Sequence, residues 1–299
     1  MQDRDTIEQL KKFEIPGVVR FDTGGGGLPR TRIETGRSTA EIYLHGAQVT
    51  GFQKNGGPPM LFMSRLSHFT ADKPIRGGVP ICFPWFGPRE GGVMHGFARV
   101  AEWEVIETEA SPEGGATVRL KLPKTAAGAA WPAFRAEFVV TVTDTLAMEL
   151  IVTNQAADGN LEFENCLHTY FAVGDVREVS ITGLKTAHYL DKTDNGTRKR
   201  ESTDAIRITS ETNRVYLDTT SAVEIHDARF DRNIRVEKSG SASTVVWNPW
   251  TTQQMSDFGE DEYQQMVCVE SGNVGHNKIM LAPGKAARLK VVLSSKAAL

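Results

Sequence analysis

Apolar and polar residues alternate in short runs along most of this chain. Thr117-Val118-Arg119-Leu120-Lys121-Leu122 is the clearest case, with every second residue apolar. That period of two belongs to a strand with one buried face. Similar runs predict strands over 18–21, 40–44, 101–108, 116–122, 134–142, 147–153, 161–172, 176–182, 222–225, 244–247, 265–270 and 287–293. Turn residues separate them, among them Asp158-Gly159-Asn160, Asn195-Gly196, Ser239-Gly240 and Pro283-Gly284. Only 5–13 reads as a short helix. The pattern predicts an all-β protein made of two stacked antiparallel sheets. Nothing resembles a linker or a repeat, so 1–299 is expected to be a single domain.

Two segments break the alternation. Gly24 to Gly27 is a four-glycine run followed by strand-like residues, not by a helix, so it predicts a flexible hairpin tip and no phosphate loop. The stretch 74–99 holds prolines at 74, 80, 84 and 88 among Ile75, Val79, Ile81, Phe83, Trp85 and Phe86. Helices and inner strands exclude that proline density. An apolar loop of this kind is expected to pack on the body of the protein. It also presents Arg76, His95 and Arg99, which makes it a candidate ligand wall.

Two runs concentrate chemistry. If 161–172 is one strand, Leu161, Phe163, Asn165, Leu167, Thr169 and Phe171 face the core. Glu162, Glu164, Cys166, His168 and Tyr170 then face the other way. The run 265–270 is apolar on both faces, as in a central strand, and it ends on Glu270. A carboxylate there is partly desolvated, which raises its pKa toward that of a useful base. In 95–99, alternation would put His95, Phe97 and Arg99 on one side of an extended segment. Trp85, Phe86, Trp247 and Trp250 could stack on a sugar, though core packing is their default reading.

Charge and cysteine content narrow the classes. A net charge of −3 gives no case for nucleic acid or an anionic membrane surface. Between residues 73 and 99, however, Lys73, Arg76, Arg89 and Arg99 face one acid, Glu90, which suits a small anion. Cys82, Cys166 and Cys268 are too dispersed for a disulfide framework or a zinc cluster and predict reduced thiols in the cytoplasm. The charged start predicts no signal peptide, and no run is long enough for a membrane helix. Histidine spacings suggest no metal site.

As a set, IRGGVPICFPWFG (75–87), HGFAR (95–99) followed by Trp103, ENCLHTYF (164–171) and VCVESGN (267–273) resemble the glucose-6-phosphate 1-epimerases. These are hexose-6-phosphate mutarotases related to aldose 1-epimerase. The resemblance runs over roughly 18–293. It implies a galactose-mutarotase-like antiparallel β-sandwich (a supersandwich) that interconverts α and β anomers without a cofactor. It puts the catalytic histidine on His168 and the catalytic glutamate on Glu270. The substrate-binding arginines fall on Arg76 and Arg99, and His95 matches a histidine that helps at the ring oxygen. Two further binding positions depart from the pattern: Met94 stands where Gln is usual and Asn213 where Asp is usual.

This resemblance implies general acid–base opening of the sugar ring, with Glu270 as base and His168 as acid. Arg76 and Arg99, with Arg89 or Lys73 in support, would hold a phosphate. A small sugar phosphate is the expected partner, with a monomeric protein and neither nucleic acid nor membrane. Three alternatives stand beside it. They are a mutarotase for an unphosphorylated aldose, a non-catalytic carbohydrate-binding sandwich, and a glycosidase pairing Glu162 or Glu164 with Glu270.

Overall fold

The structure, a computed structural model, describes residues 2–111 and 114–298. Among them the alternating runs assemble into antiparallel sheets. A nine-stranded sheet has the order Ala205–Arg207, Val179–Thr182, Val223–Asp227, Arg232–Ser239, Ala286–Ala297, Leu146–Asn154, Phe134–Val142, Ala116–Lys121, Glu104–Ala110. An eight-stranded sheet has the order Thr197–Arg200, His188–Asp191, Thr212–Leu217, Ser243–Asn248, Met266–Asn273, Asn165–Leu167, Ile81–Cys82, with Tyr170–Ala172 also pairing to Met266–Asn273. Val19–Thr23, Pro29–Glu34, Ser38–Tyr43 and Gln48–Lys54 form a four-stranded meander. The chain opens with a helix, Gln2–Leu10, continued by a 3₁₀ turn, Lys11–Phe13.

The two large sheets share one apolar layer. Leu167, Phe171, Val246, Val267 and Val269 from the eight-stranded sheet belong to the same buried cluster as Val140, Leu150, Ile234 and Val291 from the other. Alternation sends the intervening residues to the opposite face. There Cys166, Tyr170, Val215, Val245, Trp247 and Cys268 form a second, smaller cluster. This outer face carries the candidate site.

Segment 161–172 is not one strand. Leu161–Phe163 leaves to pair with Ile279–Leu281, Asn165–Leu167 joins the eight-stranded sheet, and Tyr170–Ala172 follows a break at His168-Thr169. The first break has a visible cause. Glu164 turns aside to accept from the backbone N–H of Phe86 at 2.9 Å and of Gly275 at 2.5 Å. The expected two faces survive, because Leu167 and Phe171 stay inside while Cys166 and Tyr170 stay outside.

The glycine run is a hairpin tip as expected, but a packed one. Gly25–Gly27 forms a 3₁₀ turn, and the Gly25 N–H donates to the Tyr43 hydroxyl at 2.8 Å. At Gly26, with φ of 64°, a Cβ would lie 1.7 Å from the Phe69 carbonyl oxygen. No larger residue fits there.

One buried ion pair ties the sheets together. Arg232 and Asp227, 5% and 1% exposed, approach to 3.3 Å. The Arg232 guanidinium also donates to the carbonyls of Ala172 at 2.6 Å and Pro59 at 3.0 Å. The nine-stranded sheet thereby holds the end of the strand that follows His168.

Candidate active site

Strand register builds the floor of the site. Glu270 lies opposite Val245, which lies opposite Val215. Two residues back, Cys268 lies opposite both Trp247 and Tyr170, and Trp247 lies opposite Asn213. These two cross-strand rows face outward, and all of them but Cys268 line a cavity of about 560 Å³. His168 completes the floor. Arg76, Phe86, Met94, His95 and Arg99 form the wall, and Lys192 and Gln253 stand at the rim.

The wall is docked by main-chain bonds. The N–H groups of Glu164, His168 and Tyr170 donate to the carbonyls of Pro84, Pro80 and Gly78 at 2.9, 3.0 and 2.9 Å. Ile81–Cys82 is thus an edge strand, the one place in a sheet where flanking prolines do no harm. The segment 95–99 is not extended, contrary to the alternation argument. His95 and Gly96 have φ of 63° and 79°, and Ala98–Val100 is a 3₁₀ turn. The turn buries Phe97 in the core and still delivers His95 and Arg99 to the cavity. Gly96 is required: a Cβ there would lie 2.1 Å from the Phe83 carbonyl oxygen.

His168 and Glu270 meet at the centre of the floor. Nε2 of His168 is 3.3 Å from Oε1 of Glu270. The Cys166 thiol donates to the other carboxylate oxygen, Oε2, at 3.5 Å. The His168 ring stacks on Tyr170 at 4.8 Å and stands edge-on to Trp247 and His95 at 6.0 and 5.5 Å. Its Nδ1 is buried without a hydrogen-bond partner.

Burial sets the charge states. Glu270 is 1% exposed, and desolvation raises its carboxyl well above the ordinary carboxylate range. The Cys166 S–H offsets part of that rise. Desolvation, then His95, Arg99 and Arg76, hold the His168 imidazole well below its ordinary pKa. His95 is lowered to about 3, by burial first and the same two arginines second. Burial thus works against the carboxylate form of Glu270 and the imidazolium form of His168 alike. The Cys268 thiol and Glu270 carboxyl come with a His168 ring nitrogen within 4.8 Å of one another. Burial raises the pKa of both acids, so a metal ion would have to displace their protons to bind.

All seven expected site residues, Arg76, Met94, His95, Arg99, His168, Asn213 and Glu270, line this one cavity. Their surroundings differ in ways sequence could not show. Arg76 is tied to Asp257 at 3.1 Å and donates to the Tyr170 hydroxyl at 3.1 Å. Arg99, 8% exposed, donates to the main-chain carbonyl of Met94 at 2.5 Å, while its Nε is buried without a partner. Met94 thus contributes its backbone, and its side chain is 48% exposed at the rim. Arg89 and Lys73 do not support the arginines. Arg89 lies about 5.0 Å from the ring of Trp131 and 5.1 Å from that of Trp85, and Lys73 is exposed outside the cavity. Lys192, overlooked because it sits in a polar turn, is the third cavity cation. Trp247 and Phe86 line the cavity and are not plain core.

The glycosidase pairing fails on position. Glu162 is paired with Lys278 at 2.8 Å and Glu164 serves the loop amides described above. Neither lines the cavity.

Comparison with known proteins decides the lineage. The family model for aldose 1-epimerase matches residues 29–294. The chain belongs to the aldose 1-epimerase family. It is an epimerase-type isomerase with a galactose-mutarotase-like β-sandwich. A Cenchrus ciliaris protein provisionally named a glucose-6-phosphate 1-epimerase is 36% identical over 281 residues, covering 90% of this chain and 85% of that one. A crystal structure from Salmonella typhimurium, provisionally described as a mutarotase, superposes with a TM-score of 0.88 at 26% identity, covering 98% of this chain and 99% of that one. A Lactobacillus acidophilus galactose 1-epimerase shares the fold, with a TM-score of 0.73 at 13% identity over 94% and 99% of the two chains. Among the described residues, no helix is long and apolar enough to cross a membrane.

Proposed function

We propose that this epimerase interconverts the α and β anomers of a hexose 6-phosphate, glucose 6-phosphate above all. The observation that carries the acid–base part is the 3.3 Å approach of His168 and Glu270 on the cavity floor. In ring opening, Glu270 takes the proton of the anomeric hydroxyl while His168 gives one to the ring oxygen, and the C1–O5 bond breaks. The aldehyde rotates about C1–C2. On closure, Glu270 returns its proton to O1 and His168 recovers one from the O5 hydroxyl, so the protein ends as it began. His95, edge-on to His168, lies on the side toward the wall and can hold a ring or hydroxyl oxygen.

Charge supports the phosphate. Arg76, Arg99 and Lys192 line the cavity, and among the described residues that line it Glu270 is the only acid. Asn213, in place of the usual Asp, leaves the floor one negative charge short and more receptive to a dianion. Arg76 is already matched by Asp257, so the uncommitted donors are the Arg99 Nε and Lys192. The provisional names of the relatives point the same way.

The test is anomer exchange followed by NMR on glucose 6-phosphate beside glucose and galactose. Preference for the 6-phosphate is the expected result; equal rates on the free sugars would move the assignment to an unphosphorylated aldose. Binding of glucose 6-phosphate without any acceleration of exchange would identify a binding protein instead. Lys192→Gln is expected to raise KM for glucose 6-phosphate about three- to tenfold, the loss of a contact worth about 0.7–1.4 kcal/mol at an exposed site. Steady-state kinetics on free glucose should not change.

A further inference from the structure

The base of the proposed reaction is held by more than its own strand. Cys166 lies opposite Gly272 in the pairing of Asn165–Leu167 with Met266–Asn273. Gly272 and Glu270 share a face of their strand, two residues apart. Gly272 has no side chain, so nothing on that face stands between the Cys166 thiol and its diagonal neighbour, Glu270. The glycine also lets the strands close. A Cβ there would lie 2.4 Å from the Asn165 carbonyl oxygen and 2.8 Å from the Cβ of Cys166. The thiol uses this gap to donate to Oε2 of Glu270 at 3.5 Å. Among the described residues it is the one group that donates a hydrogen bond to this carboxyl. Cys82 sits opposite Cys166 on the edge strand, and both are 0% exposed. A thiol so buried is inert to oxidants and alkylating agents, so reactivity is not what Cys166 contributes.

The geometry points to Cys166 as a positioning residue for the base: its S–H holds Oε2 of Glu270, so that Oε1 is left to face His168 and take the anomeric proton. The inference rests on the acid–base reading above and adds to it the atom that does the work. The last torsion of a glutamate side chain has only a broad, roughly twofold preference, so the carboxylate plane is not fixed by its own strand. A quarter turn would swing Oε1 away from the His168 Nε2, which now lies 3.3 Å from it. The thiol holds that torsion from the far oxygen. It also favours the ionised form that must accept the proton, because a hydrogen bond to a carboxylate is stronger than one to a carboxyl. A weak donor suits this task. An ammonium or guanidinium in its place would hold the oxygen more tightly and strip the carboxylate of the basicity the reaction needs.

The experiment compares the full chain with Cys166→Ala and Cys166→Ser by NMR exchange on glucose 6-phosphate, at a temperature where circular dichroism shows all three folded. Alanine deletes the donor, and serine keeps one in nearly the same place. Cys166→Ala is expected to lower kcat about tenfold while KM changes less than about twofold, and Cys166→Ser to recover most of that loss. A role in packing alone predicts the reverse order, because alanine is apolar and a buried hydroxyl is not. The acid limb of kcat should move to higher pH in Cys166→Ala, as when a carboxylate loses a hydrogen bond, and return in Cys166→Ser. The other titratable groups around Glu270 are common to the three proteins. They are His168, Tyr170, Cys82 and Cys268 on the sheet, with Arg76, His95 and Arg99 across the cavity. Alanine as fast as wild type, serine as slow as alanine, or a loss that falls on KM overturns the inference. Glu270→Gln separates the two levels. If it is slow and Cys166→Ala is not, only the inference fails; if it is as fast as wild type, the acid–base reading fails first.

Discussion

Glu270→Gln is expected to slow anomer exchange about 10²–10⁴-fold, the usual contribution of one positioned proton acceptor. The glutamine keeps the shape of the side chain and cannot take the anomeric proton. Exchange spectroscopy on glucose 6-phosphate measures the loss directly, and a variant as fast as wild type would remove Glu270 from the mechanism. The fold should not suffer. Burial raises the Glu270 carboxyl above its unfolded value, so its neutral form favours folding and that contribution is lost as pH rises through the folded midpoint. Glutamine is neutral at every pH. Thermal melts should therefore find Glu270→Gln at least as stable as wild type, with the advantage growing from acid toward alkaline pH. An active site that costs stability is a familiar compromise. In wild type, exchange should fall on the acid side through a limb lying above the ordinary carboxylate range.

The largest loss of stability is expected at a distance from the cavity. Asp227→Ala leaves the Arg232 guanidinium buried and without its counter-ion. Breaking a buried pair in this way costs about 3–5 kcal/mol, because the remaining charge is uncompensated. Urea unfolding would measure it as a fall in midpoint at unchanged slope. Replacing the pair together by Met and Leu should recover much of the loss. A fall under about 1 kcal/mol would mean that the carbonyls of Ala172 and Pro59 suffice to hold the arginine. Arg232 also anchors the end of the Tyr170–Ala172 strand. Partial loss of activity before global unfolding would show that this anchor keeps the His168 segment in place.

Much of this was legible in sequence because the dominant signal was local. A buried strand with one polar face writes its period plainly, and 134–142 appears in the structure with the predicted ends. Strands such as Thr212–Leu217 and Arg232–Ser239 escaped notice because long charged side chains interrupt their apolar positions while the stems still pack. The site residues were found by a resemblance spread across the chain, and no single motif would have assembled them. What could not be read was anything that depends on a partner far along the chain. Asp257, 181 residues from Arg76, neutralises it. Met94 supplies a carbonyl where a side chain was sought. Lys192 enters the rim from a turn whose neighbours gave no hint of a ligand. The extended reading of 95–99 failed because two successive positive φ values override an alternation that looks convincing in one dimension.

The pairing of Met266–Asn273 with its neighbours carries one further consequence. Glu270 lines the cavity and Cys268 lies on the same outer face, while Val267 and Val269 face the core. A slip by a single residue would exchange those two sets, putting the carboxyl into the hydrophobic layer and a valine where the base should be. No intermediate slip preserves function at reduced efficiency. Catalytic competence in this chain is therefore a proofreading signal for its own assembly: a molecule that turns over has the central strand in the right pairing, and specific activity counts correctly threaded molecules in a preparation.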